Sequence, residues 1–214
     1  MSVRIAYCTN VRLPSERAHG QQIAHVCRAL HSLGHDVSVF APYRKNTVIE
    51  DFHTYYQLPL SINISYIGFF DFINRLWLPG PLGLWCMNWI LRLMLPSRLR
   101  SRSYDVLYTR SAALLSALLS LRIPVILELH QLPQRNRRLF VLQCNQCTRV
   151  ACLTRAIAET LCSWGVETQR VIVEGDAVNI QEFQGLPSKS EVRTSFSLTT
   201  HRTIIGYVGR LTTL

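Results

Sequence analysis

Val3-Arg4-Ile5-Ala6-Tyr7-Cys8, then Thr9-Asn10-Val11-Arg12-Leu13-Pro14-Ser15-Glu16-Arg17-Ala18-His19-Gly20, and later Asp36-Val37-Ser38-Val39-Phe40-Ala41 decide the architecture of this chain. The first run is short and apolar, broken only by Arg4, which is the pattern of a buried strand. The second is polar and carries a proline, so it reads as a loop. Ile23, Val26, Cys27, Leu30 and Leu33 then recur on one stripe at helical spacing. Gly34 follows where a left-handed helix cap is needed. The third run alternates, is rich in strand formers and stops at Pro42. Strand, helix and strand within residues 3–42 make a right-handed crossover with parallel strands. The loop leaves the carboxyl end of the first strand, where open parallel sheets bind ligands.

The same alternation continues. Strands are expected at Ile62–Ile67, Tyr104–Thr109, Pro124–Leu129, Arg149–Leu153 and Arg170–Val173. Helices are expected over 111–121, 135–146 and 155–164, the last capped by Thr154 and ended by Gly165. Residues 43–62 read as a loop of weak structure, and 184–202 as a linker. Repeated β-α units predict an α/β fold with a Rossmann-like, doubly wound parallel sheet over about residues 1–183. Thr203-Ile204-Ile205-Gly206-Tyr207-Val208-Gly209 then reads as the start of a fresh strand.

The length, 214 residues, suits one domain or one domain and a fragment, and 48% hydrophobic against 17% charged residues excludes a disordered chain. The net charge is +10, and of the 23 basic residues only Lys45 and Lys189 are lysine. Arginine's planar fork suits phosphate, which makes nucleotide, phospholipid and nucleic acid candidate partners. A GC-rich coding sequence favours arginine equally well. Nucleic acid is the least expected of the three, because the aromatic residues cluster away from a polar groove and no RNA-binding signature is present. The seven cysteines are an odd set that suits a reducing, cytoplasmic compartment. Cys144-Asn145-Gln146-Cys147 is a lone pair with no partner ligands at zinc spacing, so core packing is expected there. No metal site is expected among the histidines either, since Gly34 ends the helix between His31 and His35.

Residues 68–102 stand apart. Phe69, Phe70, Phe72, Ile73, Leu76, Trp77 and Leu78 precede Pro79-Gly80-Pro81, and Leu84, Trp85, Met87, Trp89, Ile90, Leu91, Leu93, Met94 and Leu95 follow it. The prolines, Asp71, Arg75 and Arg92 argue against a membrane span. Two readings stay open. The stretch is a pair of interfacial helices on a membrane, with tryptophans at headgroup depth and arginines facing anionic lipid. Or it packs on the domain's own sheet.

Three blocks taken together carry a resemblance. Glu16-Arg17-Ala18-His19-Gly20-Gln21-Gln22, with Leu33-Gly34-His35-Asp36-Val37, resembles the opening of a family 4 glycosyltransferase of the GT-B fold. Leu153-Thr154, Ala158, Leu161 and Asp176-Ala177-Val178-Asn179-Ile180-Gln181-Glu182-Phe183 resemble the end of that family's first domain. Ile204-Ile205-Gly206-Tyr207-Val208-Gly209-Arg210-Leu211 is similar to the first strand of its second. Tyr104-Asp105-Val106 with Arg110, and Glu128-Leu129-His130, also match.

The resemblance implies the N-terminal, acceptor-side half of a GT-B enzyme. The family moves a sugar from a nucleotide-sugar donor to an acceptor with retention of configuration. It implies His130 as the catalytic-site histidine, with Glu128 behind it. Ser15, Glu16, Arg17, His19, Gly20, Gln21 and Arg110 are implied as acceptor-binding, and Gly209 and Arg210 as donor-binding. No cofactor is implied; the nucleotide sugar is a substrate. The acceptor is a sugar or a lipid-linked group, placed on the cytoplasmic face of a membrane if 68–102 lies on one. The sequence departs from the family pattern: Asn179 stands for Asp, Ala177 for Gly, and the paired glutamates of the donor domain have no counterpart. The expectation is an incomplete enzyme, inactive alone. The alternative is a non-catalytic acceptor- or membrane-binding subunit that recruits a separate donor-domain chain.

Overall fold

The computed structural model describes residues 2–68, 80–199 and 202–207. Two compact units are present, Met1–Ala177 and Val178–Leu214. The first is built on a seven-stranded sheet of β1 (Arg4–Cys8), β2 (Asp36–Pro42), β3 (Asn63–Ile67), β4 (Val106–Thr109), β5 (Val125–Leu129), β6 (Arg149–Cys152) and β7 (Val171–Val173). The order is β3-β2-β1-β4-β5-β6-β7. Every pairing is parallel. The chain works outward from β1 in one direction, then returns to the other side of β1 and works outward again. This is the doubly wound topology expected from the strand–helix repeat.

Successive strand residues face opposite sides of the sheet, and two cores result. On one face, helices α1 (Ala18–Ser32) and α2 (Phe52–Tyr56) bury Ile23, Cys27, Phe52 and Tyr56 against Tyr7, Val37, Val39 and Ala41. On the other, α3 (Gly80–Arg100), α4 (Leu115–Leu119), α5 (Arg137–Cys144) and α6 (Arg155–Ser163) cover Ala6, Cys8, Phe40, Leu107, Leu127 and Val150. Gly34 caps α1 at φ 85°, with its N–H on His31 O and that of His35 on Leu30 O. Because the helix ends at Ser32, Leu33 falls off the apolar stripe and is 74% exposed. Thr154 caps α6, its hydroxyl accepting from Ile157 N at 3.2 Å.

Three segments differ from their sequence reading. Residues 43–62 are not wholly loop: Asp51 accepts from the N–H groups of His53 and Thr54 and starts α2, which two buried aromatics hold in place. A single turn is too short for periodicity to reveal. In the segment read as a linker, Ser188 and Glu191 form a reciprocal capping box that starts helix α7 (Lys189–Ser195) of the second unit. Thr203–Tyr207, read as opening a strand, carry no strand among the described residues. A strand is made by its partner, and that sequence supplies only the propensity. Gly209, Arg210 and residues 69–79 lie outside the described residues.

Gly80 and Pro81, read as part of a break, lie inside a helix, α3. Gly83, Met87, Leu91, Leu95 and Leu99, spaced by four, are its buried stripe. This half of 68–102 therefore packs on the sheet. No helix among the described residues is long and apolar enough to cross a membrane.

The cysteines are all free thiols, and Cys144 and Cys147 are buried in the core. Burial raises the Cys147 thiol from 9.0 to about 12, so it stays a neutral, weakly donating group directed at Gln143 O.

Two outcomes follow from this packing. Leu91→Ala removes a side chain 2% exposed and lowers unfolding stability by about 2–5 kcal/mol, whereas Leu93→Ala, at 59% exposed, changes it by less than about 0.5 kcal/mol in urea melts. The folded-state pKa of Cys147 lies above its unfolded value, so between pH 9.0 and about 12 the unfolded chain sheds that proton first and stability falls as pH rises. Urea midpoints of Cys147→Ala should fall less steeply over this window than those of the unaltered chain.

Candidate functional site

The winding reverses between β1 and β4, and the loops that leave their carboxyl ends lie side by side there. Asn10 N–H donates to Ser111 Oγ at 3.1 Å, and Ser111 Oγ returns a bond to Asn10 Oδ1 at 2.7 Å. Thr9 and Thr109, both buried, close the two turns: Thr9 Oγ1 accepts from Val11 N and Thr109 Oγ1 from Ser111 N. Asn10 Nδ2 also donates to Asn88 Oδ1 at 2.9 Å, which ties helix α3 to the same point. Buried hydroxyls and amides satisfy one another, so the crevice floor is rigid.

Above that floor the loop of residues 10–19, with Arg44 and Leu84, lines a recess of about 280 Å³. Arg12, Arg17, Arg44 and His19 face it, and Glu16 is the one carboxylate lining it among the described residues. Arg12 Nη2 pairs with Glu16 at 2.6 Å. This pairing, together with a backbone hydrogen bond, holds the exposed Glu16 carboxyl below its usual range, the backbone bond being the larger cause. Burial first, and then the charges of Arg17 and Arg110, push the His19 imidazole below its usual pKa. A histidine so shifted is neutral near pH 7 and can accept a hydrogen bond. Arg17 caps α1 without any side-chain bond, and the N–H of Gly20 turns back to Arg17 O at 2.9 Å.

The other predicted residues divide. Glu16, Arg17 and His19 meet in the recess, with Ser15 on its wall. Ser15 itself is 3% exposed. Its N–H donates to Tyr56 Oη at 2.8 Å and its carbonyl accepts from the same hydroxyl at 3.0 Å. Gly20 is buried under this pair: a Cβ there would stand 2.3 Å from Tyr56 Oη and 3.0 Å from Ser15 Cβ. What Gly20 admits at this point is the loop and Tyr56. Gln21 is exposed one turn on, 3.4 Å from His25.

His130 and Arg110 come together at the ends of β5 and β4, about a carboxylate. Glu128 Oε1 lies 2.5 Å from His130 Nε2 and 3.2 Å from Arg110 Nε, while Glu128 Oε2 accepts from Tyr108 Oη at 2.6 Å. Arg110 Nη2 stands 3.1 Å from His130 Nδ1. The same Arg110 nitrogen stands 2.6 Å from His130 Nε2, so the carboxylate and the guanidinium hold the imidazole from both sides. Glu128 and Arg110 are 12% and 13% exposed at their side chains, and His130 23%. The imidazole is thus the open edge of the cluster. Burial and the Glu128 charge push the Tyr108 hydroxyl well above its ordinary pKa, so it remains a donor. Tyr7 stacks on Tyr108 at 5.1 Å and backs the assembly. Asp176 completes it: its carboxylate, Glu128 and His130 place ligand atoms within 4.8 Å of one another. That spacing would admit a cation, but the Arg110 guanidinium already holds Glu128, and its charge opposes one.

Tyr108, Tyr56 and Asp176 are not among the site residues expected from sequence, although Asp176 opens one of the blocks that carry the resemblance. Tyr108 shares a strand face with Arg110, two residues on, and that period-two spacing was the available signal. Tyr56 carried none.

The glycosyltransferase family 4 model matches residues 20–182. The chain belongs to this family. The sheet is the Rossmann-like half of a GT-B glycosyltransferase, as expected. Among solved structures, Anabaena Alr3699/HepE in complex with UDP-glucose is similar over 91% of this chain and 50% of its own, at 17% identity and a TM-score of 0.58. The lipopolysaccharide outer core galactosyltransferase WaaB, in its apo form, matches over 83% of this chain and 46% of its own, at 10% identity and a TM-score of 0.59. UDP-GlcNAc 2-epimerase from Methanocaldococcus jannaschii matches over 81% and 45%, at 17% identity and a TM-score of 0.57. None of the curated proteins matches the sequence. At these identities the structural likeness establishes the fold, and the chain spans about half the length of the solved structures it matches.

The close fit at Gly20 yields a double-mutant test. Gly20→Ala should destabilise the chain by about 1–3 kcal/mol through overpacking. In a Tyr56→Phe background, where the 2.3 Å clash is removed, the added cost should drop by more than half in urea melts.

Proposed function

We propose that this chain forms the acceptor side of a retaining glycosyl transfer from a nucleotide sugar, and that it acts with a donor-binding domain on the same or another polypeptide. The observation that carries the reading is the Arg110–Glu128–His130 cluster, set beside a basic recess at the reversal point of a family 4 sheet. His130 is the most exposed member of the cluster, and a ring nitrogen exchanged from Arg110 would hydrogen-bond a hydroxyl of the transferred sugar. Glu128 and Arg110 hold that ring in place, which limits reorganisation during transfer. Arg12, Arg17 and Arg44 suit an acceptor that carries phosphate, because each guanidinium binds two oxygens in plane. Neutral His19 can receive a hydrogen bond from the acceptor hydroxyl. One solved neighbour, Anabaena Alr3699/HepE, was crystallised with UDP-glucose and with UDP, and a uridine nucleotide sugar is the donor class assigned here.

A second reading keeps the binding and drops the chemistry. The chain spans about half of its structural neighbours, and a subunit that binds acceptor or membrane and recruits a separate catalytic domain would have the same geometry.

The test has two arms. Calorimetry on this chain alone should give no micromolar binding of UDP-glucose, and such binding would sink the division of labour. With a donor domain supplied, transfer to a phosphate-bearing acceptor should appear with the anomeric configuration kept, as read by proton NMR. His130→Ala should lower that rate by about a hundredfold. Full activity in His130→Ala would favour the recruiting subunit.

A further inference from the structure

Helix α3 carries a second stripe. Leu82, Trp85, Trp89, Leu93 and Arg100 follow one another at steps of three, four, four and seven residues, on the side opposite the buried stripe Gly83–Leu99. The four apolar members are 45%, 63%, 53% and 59% exposed. A helix on a protein surface ordinarily turns charged and polar side chains to water. This one turns two indoles and two leucines outward. Exposed apolar groups in one row mark a surface made for contact.

Charge identifies the contact. No Asp or Glu occurs from residue 72 to 104, while Arg98, Arg100 and Arg102 close the segment and are exposed. Arg100 ends the apolar stripe itself, and Arg98 and Arg102 flank it. We propose that the outer face of α3 docks this protein on an anionic phospholipid surface, lying in the interface with Trp85 and Trp89 at headgroup depth and the arginines on lipid phosphates. An indole is stable where one edge is apolar and the other wet. Each arginine near such a surface adds about 1 kcal/mol. The helix is not apolar enough to cross the bilayer, so it rests on the surface.

The helix is joined to the recess. Leu84 lines that cavity, and Asn88 accepts from Asn10 Nδ2 on its floor. Leu84 and Asn88 lie beside the buried stripe, so docking α3 would hold the recess within about one helix diameter, roughly 10–12 Å, of the lipid surface. Taken with the transfer reading, this makes the acceptor lipid-borne. The docking itself does not rest on that reading, and its measurement uses no sugar.

The experiment is co-sedimentation of the full chain with vesicles of phosphatidylcholine alone and with an equimolar mixture of phosphatidylcholine and phosphatidylglycerol. The chain should pellet with the mixed vesicles and stay in solution with the neutral ones. Trp85→Ser with Trp89→Ser should lower partition on the order of tenfold. Each of Arg98→Gln, Arg100→Gln and Arg102→Gln should lower it about fivefold. All five positions are exposed, so circular dichroism should be unchanged. With Trp77→Phe and Trp164→Phe, only Trp85 and Trp89 remain of the four tryptophans, and brominated lipid should quench their fluorescence. Failure to bind mixed vesicles overturns the proposal, as does binding that the tryptophan pair does not weaken. Equal binding to neutral vesicles overturns its electrostatic half. If the tryptophan pair instead abolishes self-association in sedimentation equilibrium, with no vesicle binding, the stripe is an interface between two copies and the proposal is wrong.

Discussion

Strand β1 is hydrogen-bonded on both edges, to β2 on one side and β4 on the other, and everything functional in this chain follows from that arrangement. A parallel strand cannot be reached by a tight turn, so each neighbour returns by a crossover of one hand. Winding outward from β1 in both directions forces the helices onto opposite faces and leaves a gap where the directions part. The loops after β1 and β4 border that gap. Asn10 and Ser111, 101 residues apart in the chain, bond across it. The site is a consequence of strand order, and its residues are whatever the two loops carry.

Two electrostatic regimes meet there. Around Glu128 the groups are largely buried, and the carboxylate receives Tyr108, Arg110 and His130 together. Such a charge is tolerable away from water because both of its oxygens are engaged. The result is a fixed imidazole. The recess near Arg12, Arg17 and Arg44 is open to water instead. There three arginines stand near one carboxylate among the described residues, and an anionic ligand would relieve their mutual repulsion.

Helix α3 reconciles two demands on one segment. Its stripe of Gly83, Met87, Leu91, Leu95 and Leu99 is needed to cover the sheet. Its opposite stripe has no such duty and is nonetheless apolar and aromatic. Packing on the domain and contact with an outside surface were rival readings of residues 68–102. In the described part of that segment the two faces serve separately, and the asparagine between them, Asn88, fastens the helix to the crevice floor.

The architecture was legible in the sequence because it is written in short-range patterns. Alternation in 36–41, helical spacing in 23–30, the cap at Gly34 and the capping hydroxyl of Thr154 each act within a few residues, and each is found where the pattern places it. The loop at 10–20, Arg110 and His130 were also visible as strand-end residues of a parallel sheet. Long-range events left no such mark. Tyr56 meeting Ser15 and Gly20, Asp176 returning to Glu128, and the outward turn of Trp85 and Trp89 depend on contacts between distant parts of the chain. Nor could propensity make a strand of Thr203–Tyr207, because a strand needs an edge to pair with. Which elements exist, and that their strands run parallel, could be read from local pattern. Which side chains converge was set by the folded sheet, since convergence depends on how strands separated by a hundred residues are laid edge to edge.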